Sequence, residues 1–480
     1  MRSTRLLTIA GLAALVATGV TFQACGGDSV VALPDAGGAD VFVPGNDSDL
    51  PDVFLPPPDD GSTVDTGPVD AGPLCSSTPC IVGLAVGGRH ACALVKDGTV
   101  RCWGENQQGQ LGNGVPDAAF SGANQPTPVT VPALTNVAAI GASAYYNIFG
   151  STCARTGSNA AYCWGSNGGG QLGLNAEAGV TDNLPHPIPG LVQGLPSASV
   201  GPAPGNFHSC AISGTDLICW GTNAGAVLGR GSVNPPIGAA GKATAIEAGV
   251  LQGSPGYDYS LALLTDGTVL SWGNNTTGQL GRIVGGTNDI MPKPVASLTG
   301  ITQVSAGQSH ACAVNGAGAV YCWGDNNFAQ IGQGTTSGQP VSVPVVVPMP
   351  GGKKATQVSC ANYHSCALMT DGSVACWGRN NAGQSGGFNS ADGGDGGYNA
   401  FPTSTAVEIK LPGKALAMGA GGGNTGGNAS SGYACALIEG GSVQCWGYNG
   451  EGELGRGDAG SQMCVNGLPC IVNPGNVAFP

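Results

Sequence analysis

Seven tryptophans set the strongest constraint on how this chain folds. Each tryptophan is followed by glycine, and the third residue after each one is asparagine. A Gly-Gln-Leu-Gly turn, or a variant of it, comes next in every copy. Neighbouring copies are 51 to 69 residues apart, at Trp103, Trp164, Trp220, Trp272, Trp323, Trp377 and Trp446. Seven copies with a period of about 50 residues indicate a propeller or a solenoid.

Each repeat reads as four short strands. In the first repeat HACALV and TVRCWG flank a tight turn, and PTPVTV and NVAAIG follow the Gln-Leu-Gly loop. The chain has 85 glycines and 33 prolines, and its short apolar runs lack a helical period. Four strands repeated seven times predict an all-β fold over residues 75–480. The specific prediction is a seven-bladed β-propeller with four-stranded blades, whose radial closure protects the strand edges.

The repeat pattern is similar to that of a known family. W-G-x-N-x-x-G-Q-L-G-x-G, then P-x-x-V, then V-x-x-G-x-x-H-x-x-A-L-x-x-D-G-x-V, resembles the regulator-of-chromosome-condensation repeat. The resemblance covers about residues 81–480 and implies a seven-bladed β-propeller. It says less about function, because sites are grafted onto such scaffolds. It also implies a structural role, through bonds to the backbone, for four histidines that recur before cysteines: His90, His208, His310 and His364.

The ends of the repeat region predict how the ring closes. We expect the C-terminal PCIVNPGNVAFP to form the third strand of the last blade, and the N-terminal CIVGLAVGGRHACAL to complete that blade. Four cysteines lie near this junction, in the stretches CSSTPC and CVNGLPC: Cys75, Cys80, Cys464 and Cys470. The sequence leaves open whether these four pair locally or between the termini.

Six cysteine pairs face each other across predicted hairpins. With Lys96, Asp97 and Gly98 as a three-residue loop, Cys92 lies opposite Cys102. Such a loop needs a left-handed residue at its third place, and six repeats have glycine or asparagine there. The third repeat is one residue shorter, and a two-residue loop that starts with glycine keeps its cysteines opposite each other. At such a non-hydrogen-bonded pair the Cα atoms approach to about 4.5 Å, within disulfide range.

The fourth repeat supports this pairing, because Leu261 and Ser271 replace both cysteines together. Zinc would need four converging ligands, and a redox dithiol would need a CxxC motif, which the sequence lacks. We expect Cys360, which is left over in this scheme, to be buried. The predicted disulfides are Cys92–Cys102, Cys153–Cys163, Cys210–Cys219, Cys312–Cys322, Cys366–Cys376 and Cys435–Cys445.

Residues 1–24 have the pattern of a lipoprotein signal peptide. Two arginines precede the apolar run LLTIAGLAALVATGV, which suits a signal h-region and is short for a membrane span. The run ends in TFQACGG, which resembles a bacterial lipobox with Cys25 as the lipid acceptor, although Phe22 stands where leucine is usual. An ordinary signal peptide cleaved near the same place is the alternative.

Residues 25–74 are predicted to form a disordered tether. The segment has ten Asp, no Lys and no Arg, and it is rich in proline and glycine. It buries too little apolar surface to fold, and its charges repel one another. Removing two signal-peptide arginines and ten tether aspartates from the chain's 16 basic and 29 acidic residues leaves 14 and 19. This nearly neutral remainder argues against nucleic acid as a partner.

These features predict an exported, membrane-anchored binding or scaffold protein of the cell envelope. We expect it to be a monomer on the outer membrane, at the periplasmic face or the cell surface, with a protein or surface glycan bound on one propeller face. Connectors with insertions are the candidate binding loops: residues 113–128, 174–206 and 386–404. The sequence offers no catalytic residues, cofactor motif or metal site, so we predict that the protein is not an enzyme.

Two other functions remain open. Family resemblance suggests a guanine-nucleotide exchange factor, but the signal peptide and the acidic tether oppose a cytosolic role. A propeller enzyme acting on polysaccharide would need carboxylates or histidines clustered outside the repeat consensus, and none is evident in the sequence.

Overall fold

The structure is a computed structural model in which 28 strands, among the described residues, form seven antiparallel four-stranded sheets. The strands of every sheet are consecutive along the chain. This confirms the all-β, seven-bladed propeller with four-stranded blades. The predicted signal peptide, Cys25 and the tether lie outside the described residues, which are 75, 77–114, 120–143, 150–175, 181–234, 236–246, 249–386, 402–424, 430–460, 463–464 and 468–480.

The first four blades span residues 81–294. Blade 1 contains β1 (Ile81–Val86), β2 (His90–Val95), β3 (Val100–Gly104) and β4 (Gln125–Thr130). Blade 2 contains β5 (Val137–Ala142), β6 (Ser151–Thr156), β7 (Ala161–Gly165) and β8 (His186–Leu191). Blade 3 contains β9 (Val200–Pro204), β10 (His208–Ser213), β11 (Asp216–Thr222) and β12 (Ile237–Lys242). Blade 4 contains β13 (Val250–Pro255), β14 (Tyr259–Leu264), β15 (Val269–Asn274) and β16 (Asn288–Pro294).

The last three blades span residues 301–476. Blade 5 contains β17 (Ile301–Ala306), β18 (His310–Asn315), β19 (Val320–Asn326) and β20 (Ser337–Val347). Blade 6 contains β21 (Ala355–Cys360), β22 (His364–Met369), β23 (Val374–Gly378) and β24 (Thr403–Ile409). Blade 7 contains β25 (Ala415–Asn424), β26 (Ser430–Ile438), β27 (Ser442–Tyr448) and β28 (Cys470–Asn476). Two short 3₁₀ turns occupy Ala224–Ala226 and Pro350–Gly352. In the described parts of the chain, no helix has the length and apolar character to cross a membrane.

The hairpin between the second and third strands has the predicted geometry. In blade 1 the Val95 N–H donates to Thr99 O at 2.9 Å, and Gly98 has a φ of +80°. In blade 3 Gly214, with a φ of +64°, opens the shorter loop. Disulfides join the six predicted cysteine pairs, whose Cα atoms lie 4.0 to 4.1 Å apart. In blade 4, Leu261 lies opposite Ser271 in the same register.

The remaining cysteines near the ring junction pair locally. Cys75 bonds to Cys80 and Cys464 bonds to Cys470, with Cα separations of 5.4 Å and 5.7 Å. Cys360 is a buried thiol outside these disulfides.

The tryptophans form the joints between blades. Every indole is buried, and every Nε1 donates a hydrogen bond of 2.7 to 3.1 Å to a backbone carbonyl of the preceding blade. A buried indole N–H needs such a partner. The acceptors, for Trp103 through Trp446 in chain order, are Glu453, Gln110, Gln171, Val227, Gln279, Gln330 and Gln384.

The ring closes differently from the prediction. β28 pairs with β27 as expected, but β1 pairs with β2 inside its own blade rather than completing blade 7. The chain enters the propeller at the first strand of a blade, so blade boundaries coincide with the ends of the repeat region and no strand is shared. Blades 7 and 1 are joined instead by the Trp103 bond to Glu453 O and by Ser77 N donating to Gly440 O at 3.1 Å.

Candidate functional site

One end of the propeller carries the connections that differ most between blades. In an antiparallel blade, the connection after the first strand and the connection after the third strand lie at the same end. In blade 1 these connections are residues 87–89 and 105–124. We call this end the loop face. The hairpins between second and third strands lie at the other end, the hairpin face.

The three connectors expected to bind a partner begin on the loop face, after the third strand of a blade. The range 174–206 then continues through β8 and through the connector on the hairpin face into β9, so it is not a single binding loop. Parts of the three connectors lie outside the described residues, namely 115–119, 176–180 and 387–401.

Two repeated side chains hold the loop face in shape. Asn106 Oδ1 accepts from Leu111 N at 3.2 Å, and the equivalent bond forms in all seven repeats. Gln110 Oε1 accepts from Gln108 N at 2.9 Å. These bonds satisfy backbone groups that a tight loop would leave unpaired. The residues between the asparagine and the glutamine are therefore presented at fixed positions.

Four charged residues meet on the loop face where blade 7 adjoins blade 1. Arg89 Nη1 lies 3.0 Å from Glu105 Oε1, and Arg89 Nη2 lies 2.5 Å from Glu451 Oε1. Arg89 Nε lies 3.8 Å from Glu453 Oε1. Arg89 and Glu105 belong to the first repeat, whereas both other glutamates follow β27, so the arginine spans the joint. We call these four residues the seam cluster.

The seam cluster contains three carboxyl groups for one guanidinium, and most of it is buried. The side chains of Glu453 and Glu105 are 0% and 3% exposed. Burial raises the pKa of Glu453 to about 8 and that of Glu105 to about 7, although Arg89 favours both charged forms. Burial also lowers the pKa of Arg89, but attraction to the glutamates outweighs it and the net pKa is raised. Near neutral pH the cluster therefore retains a proton on a carboxyl group.

A second chemically distinct patch lies between blades 5 and 6. Arg379 Cζ lies 4.5 Å from the centre of the Phe328 ring and 5.5 Å from that of Tyr363. The two rings are 4.9 Å apart, and all three side chains are half-buried. A guanidinium over aromatic faces makes a cation–π contact. Arginine and aromatic residues are also enriched in protein-binding surfaces.

The repeated histidines join neighbouring blades. Burial lowers the pKa of His90, His208 and His310 to about 3, so each imidazole is neutral. The expected backbone partner is wrong for these three, because each Nε2 lies 2.8 to 2.9 Å from a hydroxyl of the next blade. Those hydroxyls belong to Thr152, Ser260 and Ser365.

One group of potential metal ligands occurs within the described residues. A ring nitrogen of His310 and the Sγ atoms of Cys312 and Cys360 lie within 4.8 Å of one another. Cys312 is bonded to Cys322 in a disulfide, so it offers no thiolate. In this state the group presents one thiol beside a disulfide.

The seam cluster could have been found from the sequence by aligning the seven repeats. Glu453 stands where five other repeats have glutamine. Arg89 stands where the repeats of blades 4 and 6 have Asp258 and Tyr363. Departures from the repeat at positions on the loop face are the signal that was missed.

Comparison with known families supports the repeat assignment. Residues 150–477, more than half of the chain, match the family described as RCC1-like domain. The chain belongs to the RCC1-like domain family. Residues 81–110 and 97–149 separately match the regulator of chromosome condensation (RCC1) repeat, which extends the family likeness to the first blades of this RCC1-like propeller.

Two curated relatives illustrate the sequence likeness. E3 ubiquitin-protein ligase HERC2 of Homo sapiens is 34% identical over 308 residues, which cover 60% of this chain and 6% of HERC2. Ultraviolet-B receptor UVR8 of Arabidopsis thaliana is 31% identical over 225 residues, 46% of this chain and 46% of UVR8. This RCC1-like propeller therefore spans less than two thirds of either relative.

Solved structures share the fold. Yeast RCC1 (Prp20), crystallised with Kap60, has a TM-score of 0.65 and 21% identity, covering 86% of this chain and 89% of that one. Saccharomyces cerevisiae Prp20p, in a study of its binding to Gsp1p and histones, has a TM-score of 0.62 and 19% identity, covering 85% of this chain and 90% of that one. Human WBSCR16 has a TM-score of 0.61 and 22% identity, covering 80% of this chain and 94% of that one. At these identities the likeness shows the fold alone.

Proposed function

We propose that this RCC1-like propeller is an exported, lipid-anchored binding module of the bacterial cell envelope that docks a protein partner on its loop face. The observation that carries the proposal is the arrangement of side chains on that face. The repeated asparagine and glutamine bonds hold different side chains in place on different blades, with Arg89, Asp258 and Tyr363 at the same repeat position of blades 1, 4 and 6. A rigid surface of varied charged and aromatic side chains suits a protein–protein interface.

The cysteines support export. Six hairpin disulfides are sustained in oxidising compartments and are rare in the cytosol. In this proposal Cys25 carries the lipid, and residues 25–74 form an extended tether between the outer membrane and the propeller. The propeller itself is monomeric and non-catalytic. The nearly neutral body disfavours nucleic acid as a partner.

Fold relatives support a protein partner by analogy. Yeast RCC1 was crystallised with Kap60, and Prp20p was studied for its binding to Gsp1p and histones. The same likeness is the support for an exchange-factor role, which the signal-peptide pattern of residues 1–24 opposes.

Site-specific photocrosslinking in intact cells tests the docking face. A crosslinker at Gln107 or Thr276 samples exposed positions on the loop face, and a crosslinker at Thr215 or Thr265 samples exposed positions on the hairpin face. We expect an envelope protein to be captured from the loop face only. Reversing the charge of the patch between blades 5 and 6 with Arg379→Glu should reduce that capture.

The anchor is tested separately. Mass spectrometry of the N-terminal peptide from native membranes should find an acylated Cys25, and Cys25→Ala should release the protein from membranes. Equal capture from both faces would refute the docking surface. An unmodified N-terminus and reduced hairpin cysteines would refute export and favour the exchange-factor role.

A further inference from the structure

A third sulfur lies beside one of the hairpin disulfides. Cys360 ends β21 in blade 6, and Cys312 lies on β18 in blade 5, bridged to Cys322. The Sγ atoms of Cys360 and Cys312 lie within 4.8 Å of each other. All three cysteines are 0% exposed. The joint between blades 5 and 6 therefore holds a thiol sulfur within 4.8 Å of a disulfide sulfur, and both are shielded from solvent.

The surrounding bonds hold this thiol in place. The Cys360 N–H donates to Ser305 Oγ of blade 5 at 2.9 Å. Ser365 Oγ lies 3.9 Å from the Sγ atoms of both Cys360 and Cys312, and it lies 2.9 Å from His310 Nε2. One hydroxyl thus lies beside both sulfurs and a neutral imidazole, and it also donates to Gln330 O of blade 5 at 3.2 Å.

This third cysteine is not part of the repeat. In blade 7, Ala420 takes the place of Cys360, and its N–H makes the matching bond to Ser359 Oγ of blade 6 at 3.0 Å. Ala420 therefore stands beside the Cys366–Cys376 disulfide as Cys360 stands beside Cys312–Cys322. The joint between blades 6 and 7 therefore serves as a comparison that lacks the extra sulfur and has Ala434 in the place of Ser365.

We propose that Cys360 and the Cys312–Cys322 disulfide form an exchange centre that can move the bridge from within blade 5 to the joint between blades 5 and 6. The Cys360 thiolate sulfur bonds to Cys312 Sγ, and the bond between Cys312 and Cys322 breaks. The electron pair leaves on Cys322, which takes up the proton that Cys360 gave up. The numbers of thiols and disulfides do not change, so the step needs no outside oxidant or reductant.

The exchange would change which parts of the chain the disulfide joins. Its sequence separation rises from 10 residues to 48, the difference between positions 312 and 360. A bridge that closes a longer loop restricts the unfolded chain more strongly. The new bridge would also tie two blades together covalently, at a joint otherwise held by the chain connection and by non-covalent contacts. The centre would thus act as a latch between blades.

Disulfide mapping of the full oxidised chain tests the latch. The protein is held without reductant for a fixed time at about pH 7 and about pH 9, because the thiolate fraction rises about tenfold per pH unit below the thiol pKa. It is then quenched in acid, blocked with N-ethylmaleimide and digested for mass spectrometry. We expect a Cys312–Cys360 peptide with a blocked Cys322, and a ratio to Cys312–Cys322 at least about tenfold larger at the higher pH. If N-ethylmaleimide blocks Cys360 at both pH values and blocks neither Cys312 nor Cys322, no exchange has occurred and the proposal is overturned.

Matched variants separate local exchange from general scrambling. Cys360→Ser should abolish every product of exchange at Cys312. Ala420→Cys should place a third sulfur beside Cys366 in the next joint, where Ala434 stands in the place of Ser365, and yield a peptide in which the introduced cysteine is bridged to Cys366. If that variant does not fold, the unchanged Cys366–Cys376 bridge in the wild-type digest serves as the internal control. Bridges between cysteines of distant blades would show that unfolding causes the exchange, and would also overturn the proposal.

Discussion

The joints that follow blades 4, 5 and 6 differ from those that follow blades 7, 1 and 2 in the first-strand side chains that meet the next blade. In the first set, the first strand of the blade carries glutamine and, two residues later, serine. The Gln252 amide donates to Val304 O at 2.8 Å and accepts from Val304 N at 3.0 Å, both in the next blade. Ser254 Oγ accepts from Ala306 N at 2.9 Å. Gln303 with Ser305, and Gln357 with Ser359, repeat this arrangement.

The second set has small residues at the same two places. Those pairs are Ala417 and Gly419, Gly83 and Ala85, and Ala139 and Gly141. Their side chains carry no hydrogen-bonding group. At the joint that closes the ring, a Cβ on Gly419 would lie 2.6 Å from Val86 Cγ2, so the missing side chain makes room for valine.

The difference teaches that the same two first-strand positions of a joint can be filled by side chains that make directional bonds or by small side chains that allow close packing, whereas the tryptophan bond is common to every joint. A bonded joint is sensitive to the loss of a polar atom, because a buried partner left unpaired costs about 1 to 3 kcal/mol. A packed joint is sensitive to added volume, because protein interiors are close-packed. The two sets should therefore respond oppositely to removing and adding side-chain atoms.

The largest effect is expected from breaking a bonded joint. Gln252→Ala removes two hydrogen bonds and strands the N–H of buried Val304, whose carbonyl keeps a bond from Gln303 Nε2, so the free energy of unfolding should fall by about 2 to 4 kcal/mol. Denaturant titration of the oxidised protein measures it. Gln339→Ala, at an exposed position, is the control and should change little. Equal effects of the two variants would show that the amide contributes nothing specific to the joint.

Adding volume should damage the packed joint. Gly419→Ser gives blade 7 the serine of blades 4 to 6, but its Cβ meets Val86, so stability should fall by about 1 to 3 kcal/mol. Combining it with Val86→Ala, which copies the alanine of blade 5, should recover part of that loss. Additive destabilisation in the double variant would contradict a shared packing cause.

The charged seam adds a pH dependence. In the folded state burial raises the pKa of Glu453 to about 8 and that of Glu105 to about 7, above the values of an unfolded chain. The folded cluster therefore binds more protons than the same residues in the unfolded chain, so its contribution to stability is fully present below about pH 4 and is lost as pH rises to about 8. Glu453→Gln installs the glutamine of five other repeats, so it should flatten this fall and add about 1 to 2 kcal/mol near pH 8. Melting curves of the wild-type protein and of Glu453→Gln, measured from acid to alkaline pH, test this expectation. Parallel pH profiles of the two proteins would contradict a role of the Glu453 carboxyl group.

The smallest effect is expected from a single hydroxyl. Ser254→Ala removes one bond to Ala306 N and makes this place resemble Ala85 of blade 1, so the loss should be about 1 kcal/mol. Chemical denaturation under the same conditions as for Gln252→Ala places the two on one scale. A loss as large as that of the glutamine variant would mean that the serine, rather than the amide, dominates the joint.

The blades and hairpin bridges were predictable because they depend on local chemistry. A three-residue loop ending at Gly98 places Cys92 opposite Cys102 whatever the rest of the chain does. The same reasoning applied to the shorter hairpin of blade 3, where Gly214 opens the turn. Repetition of the pattern then indicated the number of blades.

The joints were not predictable in the same way. Gln252 bonds to a residue 52 positions away, and Arg89 pairs with Glu451 across 362 positions. Nothing near Arg89 in the sequence marks that partner. The ring closure was predicted wrongly because the repeat pattern reads the same whichever strand opens a blade, whereas packing decides that β1 belongs with β2.

By itself the sequence determined the repeated blade, the loop length of each hairpin and the cysteines that each hairpin brings together. These properties depend on residues within about one hairpin of each other, where loop length and a left-handed glycine leave little choice. Only the tertiary structure decided how the blades meet: the amide-bonded and close-packed joints, the seam cluster, and the placing of Cys360 beside Cys312. Those contacts join residues from different blades, and their distances exist only after the ring has closed.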